Sequence, residues 1–95
     1  LEGGDGDDDL AGDEHGDPLV GAAGRDNLNG GSGNDSLYGG IDADTLDGGQ
    51  GADRLDGGDG DDRIRDDDGD DTMYGGAGND TISKFIGNAT MDGGD

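Results

Sequence analysis

The chain has 95 residues, of which 25 are Gly and 24 are Asp, against 5 Lys or Arg, and its formal net charge is -21. With 25% hydrophobic and 3% aromatic residues, it carries too little apolar surface for an ordinary enzyme core. The absence of Cys excludes disulfides, thiolate metal sites and a Cys nucleophile, and the acidity repels nucleic-acid phosphates and anionic lipid, which leaves a cation as the fitting small partner.

No apolar stretch is long enough for a membrane span or the core of a signal peptide. What the chain does have is a period of nine. From Gly3 it divides without insertion into ten nonapeptides covering 3–92, with partial units at both ends, so 1–95 reads as a single repeat block, expected to be a piece of a larger protein whose caps lie elsewhere.

The consensus is GGxGxDxUx, with U a large aliphatic residue. In chain order, the unit at 3–11 obeys it, and the unit at 12–20 replaces two glycines with Asp13 and His15 and sets Pro18 before Leu19. The unit at 21–29 has Ala22 for one Gly, 30–38 is regular, and 39–47 carries Asp42 at position 4. Units 48–56 and 57–65 are regular, 66–74 opens Asp66-Asp67-Asp68, and 75–83 is regular again. The last, 84–92, reads Lys84-Phe85-Ile86-Gly87-Asn88-Ala89 and has no carboxylate at position 6.

The phasing is far stricter than composition requires: 24 of the 25 glycines fall at positions 1, 2 or 4, with Gly16 the exception. Position 8 holds Leu1, Leu10, Leu19, Leu28, Leu37, Leu46, Leu55, Ile64, Met73, Ile82 and Met91, and is never polar. Position 6 is Asp in nine of ten units.

Each residue type has a physical reason. Glycine supplies the positive φ that a sharp turn needs when several carbonyl oxygens must converge. The last three residues of each unit alternate as a strand does, so position 8 points inward and positions 7 and 9 outward, as in Arg63-Ile64-Arg65. A hard cation takes six to eight oxygen ligands, roughly, and an Asp short enough to stay within its loop adds the negative charge.

This pattern resembles the repeats-in-toxin (RTX) family of calcium-binding nonapeptides, and the resemblance covers essentially the whole chain. It implies an all-β fold, a right-handed parallel β-roll (a β-helix solenoid) with two nonapeptides per coil and Ca²⁺ held between stacked loops. Unit n then lies above unit n+2, and the loops form two columns. The odd column carries Asp8, Asp26, Asp44, Asp62 and Asp80, and the even column Asp17, Asp35, Asp53 and Asp71, ending at Ala89. These nine aspartates are the expected metal ligands. Gaps between successive loops predict about seven Ca²⁺, whose charge of about +14 would remove most of the self-repulsion. Folding and calcium binding are then expected to be one event. Because its departures are milder, the odd column is expected to fill more completely.

The resemblance further implies a secreted, extracellular bacterial protein exported unfolded by type I secretion. Relatives of this kind include proteases, lipases, pore-forming toxins, alginate epimerases and adhesins. The module itself is expected to be non-catalytic, to fold after export and to stabilise neighbouring domains. An alternative is an adhesin or polysaccharide-binding segment, in which Arg54, Arg63 and Arg65 contact acidic sugars. Phe85 and Ile86 put bulk into a loop without an Asp and suggest a capping or docking surface.

Other motifs fail on their own terms. The glutamates, Glu2 and Glu14, do not supply the twelfth ligand of an EF-hand. Ser32 does not complete GxSxG, Lys84 lacks the glycine spacing of a P-loop, and His15 has no second His or Cys for zinc. Asn34, Asn79 and Asn88 match the glycosylation pattern only because Asn recurs at position 5 with Ser or Thr at position 7.

Overall fold

A computed structural model describes residues 1–84 and the backbone of a final strand, Ala89–Asp92. Phe85 and Ile86, and the expected inward placement of Met91, lie outside the described residues. Alternating strands feed two parallel sheets. One contains β1 (Glu2–Asp5), β3 (Pro18–Ala23), β5 (Ser36–Ile41), β7 (Arg54–Gly58), β9 (Asp71–Tyr74) and β11 (Ala89–Asp92), in that order. The other contains β2 (Asp9–Ala11), β4 (Asn27–Asn29), β6 (Thr45–Asp47), β8 (Arg63–Asp66) and β10 (Thr81–Lys84).

The register is two nonapeptides per coil. Leu19 pairs with Leu37, Leu37 with Leu55 and Leu55 with Met73 in one sheet, while Leu10, Leu28, Leu46, Ile64 and Ile82 align in the other. The chain is a parallel β-roll, a solenoid of about five coils.

Strand alternation fixes the core: in β2 and β4 the middle residue is buried and its neighbours are exposed. Leu10, Leu19, Leu28, Leu37, Leu46, Leu55, Ile64 and Met73 form a single aliphatic seam between the sheets, with Ile82 partly buried against it. Leu1 departs from the expectation for position 8. It is 61% exposed and precedes β1. Most position 7 residues donate their N–H to a carbonyl one coil below, as Ser36 does to Asp17 at 2.9 Å. Pro18, at the same position of its unit, has no N–H to donate.

Strands of three residues were the sequence expectation, and β2, β4 and β6 match it. By contrast β3 and β5 run six residues, into the loops of the odd column. Ladder bonds such as Asp59 N–H to the Gly40 carbonyl, 2.9 Å, carry the pairing past the core residue. In the even loops the pairing lapses and resumes at position 3, through bridges Ser32 to Gln50 and Gln50 to Asp68.

The two substitutions in the odd column keep the loop path instead of breaking it. Ala22 and Asp42 are the described non-glycine residues with positive φ, at 85° and 77°. A side chain in that region costs about 1–2 kcal/mol. Ala22→Gly is therefore expected to stabilise the folded chain by about 1 kcal/mol, read as a rise in melting temperature; an unchanged or lower value would contradict strain at this position.

Candidate metal centre

The position 6 aspartates occupy the turn between loop and strand, and Asp26, Asp35, Asp44, Asp53 and Asp62 are each tied to the coils on either side by three bonds. For Asp44, the backbone N–H donates to Asp62 Oδ1 at 2.8 Å, the carbonyl accepts from Arg63 N–H at 2.8 Å, and Oδ1 accepts from Asp26 N–H at 2.8 Å. The same link joins Asp8 to Asp26 and Asp62 to Asp80 in the odd column, both at 2.9 Å. In the even column it joins Asp17 to Asp35 and Asp35 to Asp53 at 2.7 Å, then Asp53 to Asp71 at 2.8 Å. All nine sequence-predicted residues thus stand in two rows, one along each edge of the roll.

In Asp26, Asp35, Asp44, Asp53, Asp62, Asp71 and Asp80, one carboxylate oxygen is committed to the neighbouring N–H. The other is the question. Oδ2 of Asp8, Asp26, Asp35, Asp44, Asp53, Asp62 and Asp80 is buried without a hydrogen-bond partner. A buried, unpartnered carboxylate oxygen is costly, so a row of them calls for a counter-charge. Asp26, Asp35, Asp44, Asp53, Asp62 and Asp71 are each at most 3% exposed.

Position 1 glycines make room for these oxygens. A Cβ on Gly57 would stand 2.3 Å from Asp62 Oδ2, and one on Gly39 would stand 2.5 Å from Asp44 Oδ2. Neither glycine has positive φ, so space, and not backbone freedom, requires Gly there. Sequence reasoning assigned the glycines to turn geometry alone and missed this second role.

Stacking like charges in a dry edge shifts their titration. Burial pushes Asp62 up to about 7, against the pull of the Asp44 N–H and with added repulsion from Asp44, Asp80 and Asp61. Asp44 is pushed to about 6 by burial, opposed by the Asp26 N–H and reinforced by Asp26 and Asp42. Asp53 is likewise pushed by burial to about 6, and Asp35 is raised by burial.

Two aspartates in the irregular even units are satisfied differently. Asp17 Oδ2 accepts the backbone N–H of Asp13 at 3.0 Å, in a loop without positive φ at Asp13 or His15. Asp71 Oδ2 accepts the Lys84 ammonium. Asp66, which stands where other units have Gly, is fully buried, and one oxygen each of Asp53, Asp66 and Asp71 lie within 4.8 Å of one another. Burial together with the charges of Asp71 and Asp53 pushes Asp66 up to about 7. Burial would lower the Lys84 pKa, but Asp71, Asp66 and Asp68 outweigh it and keep the ammonium charged.

Position 5 also carries structure that the sequence reading treated as compositional. Asn34 Oδ1 accepts Ala52 N–H at 2.8 Å, Asp61 Oδ1 accepts Asn79 N–H at 2.9 Å, and Asp7 Oδ1 accepts Arg25 N–H at 2.9 Å. The recurrence of Asn and Asp one residue before the position 6 Asp was the available signal. The arginines divide between faces. Arg54 lies on β7 with its guanidinium 5.3 Å from the Tyr74 ring centre, whereas Arg63 and Arg65 lie on β8 of the other sheet. Arg65 also faces Asp47 at 3.6 Å.

These features are the local chemistry of a calcium-binding repeat, and comparison with known families agrees. The family described as RTX calcium-binding nonapeptide repeat matches in four copies, over residues 12–46, 20–55 and 47–82, and the chain belongs to that family. The repeat is a non-catalytic, calcium-binding unit. No curated protein and no solved structure matches the chain.

The raised carboxyl values have a consequence for the metal-free chain. A group that holds its proton more tightly when folded favours the fold as pH drops through its folded value, and opposes it as pH rises. With chelator present, β-structure by circular dichroism is therefore expected to grow as pH is lowered from about 7 towards 4.5. A metal-free chain less ordered in acid than at neutral pH would contradict the burial of these carboxyls.

Proposed function

We propose that this chain is a calcium-dependent folding module in which Asp8, Asp26, Asp44, Asp62 and Asp80 line one column of ions and Asp17, Asp35, Asp53 and Asp71 the other. The observation that carries this reading is the set of buried, unpartnered Oδ2 atoms, repeated coil after coil at the same position of the unit. An oxygen-rich, anionic loop suits Ca²⁺, which accepts irregular oxygen shells, better than Mg²⁺, which demands stricter geometry and gives up water reluctantly. Bound calcium supplies the positive charge that lets adjacent carboxylates pack in a dry edge.

About seven ions would fill the gaps between loops, and this count is part of the proposal. The odd column is the fuller one: all five of its carboxylates keep an unpartnered Oδ2, whereas in the even column Asp35 and Asp53 keep theirs and Asp17 and Asp71 are internally satisfied. The eight-residue aliphatic seam is too slender to offset backbone ordering and self-repulsion at a charge of -21, so the ions join the folding equilibrium directly. RTX repeats are typical of secreted bacterial proteins. In that setting the chain stays extended while calcium is scarce and folds outside the cell, where calcium is plentiful, stabilising the domains attached to it.

Titration of the chelated chain followed by circular dichroism tests this. Coil is expected to convert cooperatively to β-structure as Ca²⁺ rises from sub-millimolar to millimolar, with Mg²⁺ much weaker. Equal effectiveness of the two ions would contradict a calcium-selective site.

A further inference from the structure

Position 1 is Gly in eight of the ten units, and the two exceptions are Asp66 and Lys84. They are not scattered. Both belong to the even column, one coil apart, and they sit directly in register as β8 and β10 pair. They also carry opposite charges. Where the other units leave room beside the position 6 carboxylate, these two put charged side chains into that room.

The consequences differ in sign. Asp66 alone would worsen the column, since it adds a fully buried carboxylate within 4.8 Å of Asp53 and Asp71. Its Oδ1 accepts the Asp67 N–H at 2.8 Å, while its Oδ2 is buried and unpartnered, as is Asp53 Oδ2. Lys84 brings an ammonium into the same pocket. Its side chain is 7% exposed, and it bonds Asp71 Oδ2, the oxygen that in the regular units has no protein partner. The next even loop contributes Ala89 and hence no carboxylate. A metal ion placed above Asp71 would therefore lack the ligand that each lower gap provides.

We propose that the Lys84 ammonium, held among Asp53, Asp66 and Asp71, is the resident cation at the last position of the even column and takes the place of a metal ion there. Asp66 is the positioning residue: its charge draws the ammonium inward and stands where consensus has none. The even column thus ends in a cation carried by the chain, which needs no calcium and cannot diffuse away. This rests on the calcium reading above and refines it, because it assigns the position above Asp71, outside the gaps between Asp-bearing loops, to the protein itself.

The closing test compares ion counts. Equilibrium dialysis of the full chain and of Lys84→Met against saturating Ca²⁺ is expected to find one more bound ion per chain in the variant, as three carboxylates are left without their ammonium. Equal counts, or fewer in the variant, would overturn the assignment. Absence of calcium uptake by the parent chain would instead contradict the proposed function, so the two failures are separable. Should Lys84→Met not fold, the parent chain still decides the matter, because Lys84 is its one lysine. Reductive methylation of that amine is expected to be at least roughly tenfold slower in the calcium-loaded chain than in the chelated one. Equal rates would show a solvent-exposed amine and overturn the assignment.

Discussion

A carboxylate oxygen buried beside its own kind, coil after coil, is the constraint on which this structure depends. From Asp26 to Asp80, each position 6 Asp has one oxygen bonded to the N–H of its counterpart in the neighbouring coil, as Asp35 does for Asp17 and Asp62 for Asp44. That bond sets the stacking register and turns the second oxygen into a dry, closed edge where water cannot reach it. Repulsion along the row then opposes the very register that the first oxygen secures. In the calcium-dependent folding proposed above, positive charge between the loops resolves the conflict at neutral pH, and the metal would then be a structural component of the roll.

Much of the remaining sequence follows from that arrangement. Position 1 is small because Oδ2 leans over it, so that Gly57 and Asp62 form one unit of design. The aliphatic seam at position 8 is narrow because one side chain per strand is all the alternation of a three-residue strand can direct inward. Where the repeat deviates, the chain supplies donors of its own: the Asp13 N–H reaches Asp17, and Lys84 reaches Asp71. The irregular units therefore have different solutions to the same charge problem, and in the proposed reading the regular ones leave it to a bound ion.

The coil size, the parallel sheets, the seam from Leu10 to Met73 and the two rows of aspartates were all legible in the sequence, because a strict period transmits its geometry to every copy. What escaped was whatever depends on contact between particular coils. Asp66 reads as a defect until register sets Lys84 beside it. Asn34 and Asp61 look compositional until their side chains are seen holding the next coil's N–H groups. Arg54, Arg63 and Arg65 cluster in sequence, yet the switch of sheets between successive units separates Arg54 from the other two.

Small-angle scattering on one sample, before and after chelation at neutral pH, addresses the central claim most directly. The folded chain has a radius of gyration of 11.5 Å over its Cα atoms, whereas an unfolded chain of this length approaches roughly 30 Å. With calcium bound, the scattering should match the compact roll, and stripping the metal should expand it severalfold in volume. A chelated chain that keeps the compact dimensions at neutral pH would contradict the account, since the carboxylate rows would then be stable without the charge we assign to them.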